Sequence, residues 1–269
     1  NLTVHTGAMV SRVTFDGRRA NGVTYAMGGK AFHQPVAREV LLCGGAINSP
    51  QTLMLSGIGP ADELRRHGID IVHDAAGVGG NLQDHLDVCT LQHSTQRITY
   101  DRINEPKMAF DYFLRGHRGA GSSNLAEAGG FWRSPMATDE RCDVQFHFVP
   151  AMLDDHGRNR LPGDGYTLHP CFPRPRSRGR LSLVSNRASD KPRIHANYLG
   201  DAEGFDLKVM LECAKVSREI FAQPAFDPYR GAPIHPKRTE LSDAEWIAFI
   251  RAKAESVYHP VGTCRMGDD

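Results

Sequence analysis

Apolar and polar positions alternate with a period of two through the first forty residues, as in strands that bury one face. The strand-like runs are residues 3–5, 8–14, 22–25 and 39–42, separated by Asp16-Gly17, Asn21-Gly22 and Gly28-Gly29. Asp-Gly between apolar runs marks a hairpin, because glycine supplies the positive φ of the tight turn. The pattern predicts a small antiparallel meander. Val40-Leu41-Leu42-Cys43 is apolar on both faces, which predicts a buried parallel strand. After Gly44-Gly45, Asn48 or Ser49 is expected to cap a helix over 51–56, with Pro50 at its first position and Gly57 at its end. A second helix over 61–67 follows Pro60 and stops at Gly68, and residues 77–86 read as loop.

Further on, residues 87–98 read as a strand and 105–114 as an amphipathic helix, with Met108, Phe110, Tyr112 and Phe113 on its apolar side. Phe131, Trp132, Val144, Phe146 and Phe148 alternate with polar residues, which predicts a sheet whose other face can close over a small molecule. Residues 119–124 suit either an active-site loop or a plain connection, and 154–165 form another loop. Residues 180–183 and 193–195 read as antiparallel strands. Residues 202–222 give the longest helix, with Leu207, Met210, Leu211, Ala214 and Val216 on one face. Ser242-Asp243-Ala244-Glu245 is a capping box that opens a helix burying Trp246, Phe249 and Ile250 and running to about Ser256. The fold class is mixed, α+β or α/β.

Composition narrows the partners. The 32 basic residues balance 31 acidic ones, so neither a nucleic acid nor a membrane surface is expected as a partner. No apolar run approaches the roughly 20 residues of a membrane span. Six scattered cysteines without C-x-x-C read as reduced thiols of a cytoplasmic protein. The thirteen histidines show no H-x-x-x-H or H-E-x-x-H spacing, so no metal site is expected.

The run AESVYHPVGTCRMG, residues 254–267, holds the candidate chemistry. Pro260 pushes His259 towards an extended backbone, and Gly262 lets the main chain approach a flat ligand closely. On its own such a histidine is more often a satisfied structural one. Asp84-His85 also reads as structural, because adjacent side chains rarely point the same way. A second run, GGAINSPQTLMLSGIGP at 44–60, alters that balance. Together the two runs resemble the glucose–methanol–choline (GMC) family of FAD-dependent oxidoreductases, in its choline and alcohol dehydrogenase branch. VGGNLQDHL at 78–86, PRSRGRLSLVS at 175–185 and PRIHANYL at 192–199 extend the resemblance over nearly the whole chain.

The resemblance implies FAD as cofactor and oxidation of an alcohol by hydride transfer to flavin, with His259 as acid/base. It implies that Gly44 and Gly45 approach the FAD adenosine, that the Val10 backbone meets the adenine, and that Val261 and Gly262 lie close to the flavin ring. It further implies part of a FAD-binding domain over 1–86, a substrate domain over 87–250 with an antiparallel sheet flanked by helices, and a return to the first domain over 251–269. The chain departs from the family in two places. It has no G-x-G-x-x-G after a strand, since Gly57-Ile58-Gly59 runs into Pro60, and it stops at Asp269, before the family's second catalytic His or Asn. It is therefore expected to be a fragment, inactive alone, whose partners are the remaining segments of its parent and a small alcohol. Two alternatives stand beside this: a folded remnant that binds no flavin, and a lyase with the same fold. No aromatic cage marks choline over an aliphatic or aryl alcohol. An unpaired strand at 40–43 would promote association.

Overall fold

The computed structural model describes residues 2–267, which form two units. One comprises Asn1–Asp84, Ser177–Gly200 and Pro260–Asp269; the other comprises His85–Arg176 and Asp201–His259. Residues 177–200 thus interrupt the continuous 87–250 span expected from sequence.

The first unit opens with the meander: β1 (Met9–Asp16), β2 (Arg19–Met27) and β3 (Lys30–Pro35), paired in that order and antiparallel. Asp16 pairs with Arg19, so Gly17-Arg18 is the two-residue turn, with Gly17 at φ +57°. Gly28-Gly29 makes the second turn, but Asn21-Gly22 lies inside β2 instead of breaking it. Gly22 serves packing there, because a Cβ would sit 2.4 Å from Nε2 of His33 on the neighbouring strand. Residues 3–5 are irregular, and so is Val40–Cys43, where a buried parallel strand was expected. A parallel strand exists only beside a partner, and among the described residues no strand pairs with this one; Leu41 is 74% exposed.

Helix α1 spans Gly45–Leu55, six residues earlier than expected, so Pro50 lies inside it. Strand β4 (Ile58–Gly59), helix α2 (Ala61–Arg66) and strand β5 (His73–Asp74) follow, with β4 parallel to β5. Met54, Leu55, Leu64 and Leu183 form the core here.

The second unit is built on one antiparallel sheet. Its strands are β6 (Leu86–Asp87), β7 (Thr90–Ser94), β8 (Ala128–Trp132), β9 (Val144–Val149), β10 (Gly165–Phe172), β13 (Arg230–His235) and β14 (Glu255–Ser256). Strands β11 (Arg180–Ser182) and β12 (Arg193–His195) form a separate hairpin in the first unit. The central β10 pairs with β9 on one side and with β6 and β7 on the other, and is buried almost throughout. Its Pro170 hides it from a search for regular strands.

Helix α3 is Glu105–Leu114, but Phe110, Phe113 and Leu114 are exposed while Asp111 is buried, tied to Lys107 and Arg115. This helix packs mainly on the turn at 120–122, where Gly121 meets Met108 and Tyr112, so little of its apolar side finds cover. Helix α4 (Phe205–Phe221) lies against β10 and buries Val209, Met210, Cys213, Ala214 and Phe221. Helix α5 (Asp243–Lys253) starts at the expected capping box and buries Trp246 and Ile250. It ends three residues early because Glu255 and Ser256 pair with β6.

Among the described residues no helix is long and apolar enough to cross a membrane.

Candidate active site

Pairing between β14 and β6 governs where His259 goes. Ser256 lies opposite Leu86, and Val257 N–H donates to the His85 carbonyl at 2.9 Å. The chain then turns sharply: Tyr258 has φ +62°, held by its N–H on the Ser256 hydroxyl at 2.9 Å. A positive φ at a bulky residue is costly, so the turn is maintained by its surroundings. It brings the His259 ring to the His85 ring, with Nδ1 to Nδ1 at 3.1 Å and the planes at 78°. His85 is half-buried and His259 exposed.

Residues directly opposite in a sheet share a face. His169 lies opposite His147, while Asp87 lies opposite both Cys171 and Glu255. Alternation along β10 puts His169 and Cys171 on one side, so His147, His169, Asp87 and Glu255 all belong to one polar face. Phe146, Phe148, Tyr166 and Leu168 belong to the other, where Tyr166 meets Phe221 and Phe226. On the polar face His169 Nδ1 lies 2.9 Å from Asp87 Oδ2 and 2.9 Å from Cys89 Sγ. Burial holds His147 below the usual histidine range; the nearby His169 and His259 add to this and Asp87 opposes it. Burial, then the charges of Asp87 and Glu255, pushes the Cys89 thiol well up.

The residues expected to hold a cofactor lie in the first unit. Val10 and Gly44 line one cavity of about 700 Å³ together with Met9, Leu41, Cys43 and Ile47. Gly45 does not line it; it opens α1 at φ +72°. Val261 exchanges backbone hydrogen bonds with Gln83 at 2.8 and 3.0 Å. Gly262 has φ +92°, and its carbonyl accepts from Asn81 Nδ2 at 3.1 Å. A Cβ on Gly262 would sit 2.4 Å from the Asn81 carbonyl oxygen, so this glycine is required by the close approach of two backbone segments.

From sequence, His85 reads as structural together with Asp84, because neighbours point apart, and its approach to His259 is not foreseen. The two do point apart: Asp84 accepts from the Tyr198 hydroxyl at 2.5 Å, while His85 turns to His259. The pairing of β6 with β14 was the signal, and 174 residues separate the two histidines. The grouping of Asp87, Cys89 and His169 was not foreseen for the same reason.

Two family models, both described as GMC oxidoreductase, match residues 1–87 and 175–269, and the chain belongs to that family, whose members are FAD-dependent enzymes. It is 44% identical over 277 residues to alcohol dehydrogenase [acceptor] of Pseudomonas putida, covering 100% of this chain and 49% of that protein. It is 45% identical over 270 residues to mitochondrial choline dehydrogenase of Mus musculus, covering 99% of this chain and 45% of that one. Formate oxidase of Aspergillus oryzae superposes with a TM-score of 0.87 at 26% identity, over 96% of this chain and 50% of that structure. The chain spans about half the length of the curated relatives it matches.

Proposed function

We propose that this chain is part of an enzyme that oxidises an alcohol to an aldehyde or ketone with FAD, and that His259 is its acid/base. The observation that carries the reading is the 3.1 Å approach of His85 Nδ1 to His259 Nδ1. Two neutral imidazoles so placed share one N–H, and the direction of that bond sets the tautomer of both. When His259 donates from Nδ1, its Nε2 carries the lone pair and can accept the hydroxyl proton of a substrate. The imidazolium that results keeps donating to His85, now in a stronger, charge-assisted bond. His85 is thus a positioning residue: it selects the basic tautomer of His259 and stabilises the protonated ring.

Residues present here fit FAD. The cavity bordered by Val10, Gly44 and Ile47 is apolar on its walls, as a flat heterocycle requires, and Gly45 presents the start of a helix next to it. Val261 and Gly262, pinned to residues 81–83, would hold the flavin end. A bound flavin supplies the hydride acceptor; the chain's own tasks are to orient the alcohol and take its proton. The family relatives that act on alcohols support this substrate class.

The test is His259→Ala in the full-length enzyme. The expected result is an intact flavin spectrum with kcat/KM lowered by about 10²–10⁴-fold. Unchanged turnover would remove His259 from the mechanism, and a wild-type enzyme purified without flavin would favour a non-catalytic remnant.

A further inference from the structure

We propose that Asp87, Cys89 and His169 form a binding site for one borderline-soft divalent cation of the Zn²⁺ class. This goes beyond alcohol oxidation and does not depend on it. Asp87 ends β6, Cys89 lies in the two-residue link from β6 to β7, and His169 is on the central strand β10, which pairs with both. One ligand atom from each lies within 4.8 Å of the others. The donor set is one thiol, one imidazole and one carboxylate, which is the mixture Zn²⁺ accepts and Mg²⁺ or Ca²⁺ does not.

Distances support a cation more than a closed hydrogen-bond set. His169 Nδ1 lies 2.9 Å from both Cys89 Sγ and Asp87 Oδ2, and Sγ lies 3.7 Å from Oδ2. A single N–H on that nitrogen cannot serve sulfur and oxygen well together. A tetrahedral Zn²⁺ with bonds of about 2.0–2.3 Å spaces its ligands about 3.3–3.6 Å apart, so shifts of roughly half an ångström make the site. The fourth position stays open.

A second observation points the same way. Asp87 is only 5% exposed, and its Oδ1 is buried without a hydrogen-bond partner among the described residues. A buried carboxylate oxygen lacking a donor is costly, and a cation bound to the carboxylate offsets that cost. His169 Nε2 also has no partner among the described residues, but that holds with or without metal and does not discriminate. Glu255, opposite Asp87, adds negative charge on the same face. The arrangement does not suit a nucleophilic cysteine. Cys89 and Asp87 meet the same ring nitrogen, so no relay runs from carboxylate through histidine to sulfur, and the thiol is 8% exposed. Binding would expel the thiol proton to solvent and leave a thiolate ligand.

The experiment is titration of the full-length flavoenzyme with Co²⁺, followed through its tetrahedral d–d bands in the red, clear of flavin absorption. The expected result is saturation at one Co²⁺ per chain, displacement by one equivalent of Zn²⁺, and binding about 100-fold weaker in Cys89→Ser but not in Cys142→Ser. Absence of saturable uptake, or equal uptake by Cys89→Ser, overturns the proposal. Should Cys89→Ser not fold, X-ray absorption on the Zn²⁺-loaded wild type decides: one sulfur at about 2.3 Å supports the site, and a shell of nitrogen and oxygen alone rejects it.

Discussion

The Thr263 hydroxyl donates to the Ala46 carbonyl at 2.6 Å, the same carbonyl from which Pro50 withholds a helical N–H. Proline at position i leaves the carbonyl at i−4 without its donor. Thr263 is 1% exposed, so water cannot replace the bond. Thr263→Val is therefore expected to destabilise the fold by about 1–3 kcal/mol, with Thr263→Ser recovering most of the loss. Urea denaturation of the three proteins measures it, and equal midpoints for Val and Thr would show that the bond contributes nothing.

His85→Asn and His85→Leu separate positioning from packing. If His85 fixes the tautomer of His259, Leu should lower kcat by roughly 10–100-fold with KM little changed, and Asn, which still offers polar atoms, should recover part of it. Steady-state kinetics with the flavin content fixed is the measurement. Equal losses in both variants would point to packing.

Gly262→Ala tests the close approach of the 81–83 segment. With φ at +92° and a Cβ 2.4 Å from the Asn81 carbonyl, the substitution should cost more than about 2 kcal/mol. Gly17→Ala, also at positive φ but with open space around it, should cost about 1 kcal/mol. Thermal melts of both variants give the comparison, and similar values would mean that backbone strain alone acts.

Through His147 the fold is expected to lose stability in acid. Its folded value is lowered by burial first and by His169 next, and burial also lowers His235. The unfolded chain then binds more protons than the folded one below the ordinary histidine value. Stability is present above that value and is lost as pH falls towards the folded one. His147→Gln should narrow the gap between melting temperatures at about pH 7.5 and about pH 5.5. An unchanged gap would assign the acid sensitivity to other groups.

Tyr166 is 3% exposed, its hydroxyl has no partner among the described residues, and burial pushes its phenol up to about 12. Tyr166→Phe should be neutral or stabilising by up to about 1 kcal/mol, because it removes a polar group that earns no hydrogen bond. A clear loss in chemical denaturation would reveal a bridging water.

Local signals were legible and distant ones were not. Gly17 and Gly28-Gly29 turn where their φ preference says, and Ser242 and Glu245 cap α5 as their spacing says. Pro50 misled because its usual place is the first turn of a helix; what permits it inside α1 is a hydroxyl 217 residues away. Val40–Cys43 misled because apolarity on both faces says what a segment can pack against, not whether a pairing strand lies beside it. Among the candidate residues, His259 was singled out from its neighbours in the chain alone. His85 and the Asp87–Cys89–His169 set could not be, because each is assembled by strand register.

The chain passes between its two units four times, at 84/85, 176/177, 200/201 and 259/260. Neither unit is therefore a contiguous cassette. A single crossover between two homologous genes would always leave at least one unit chimeric, and no one truncation yields either unit whole. The last junction falls directly after His259, so a graft of either unit splits the HPVG run between two parents. Exchange of either unit among relatives by recombination is thereby restricted, and point substitution is the more accessible evolutionary route.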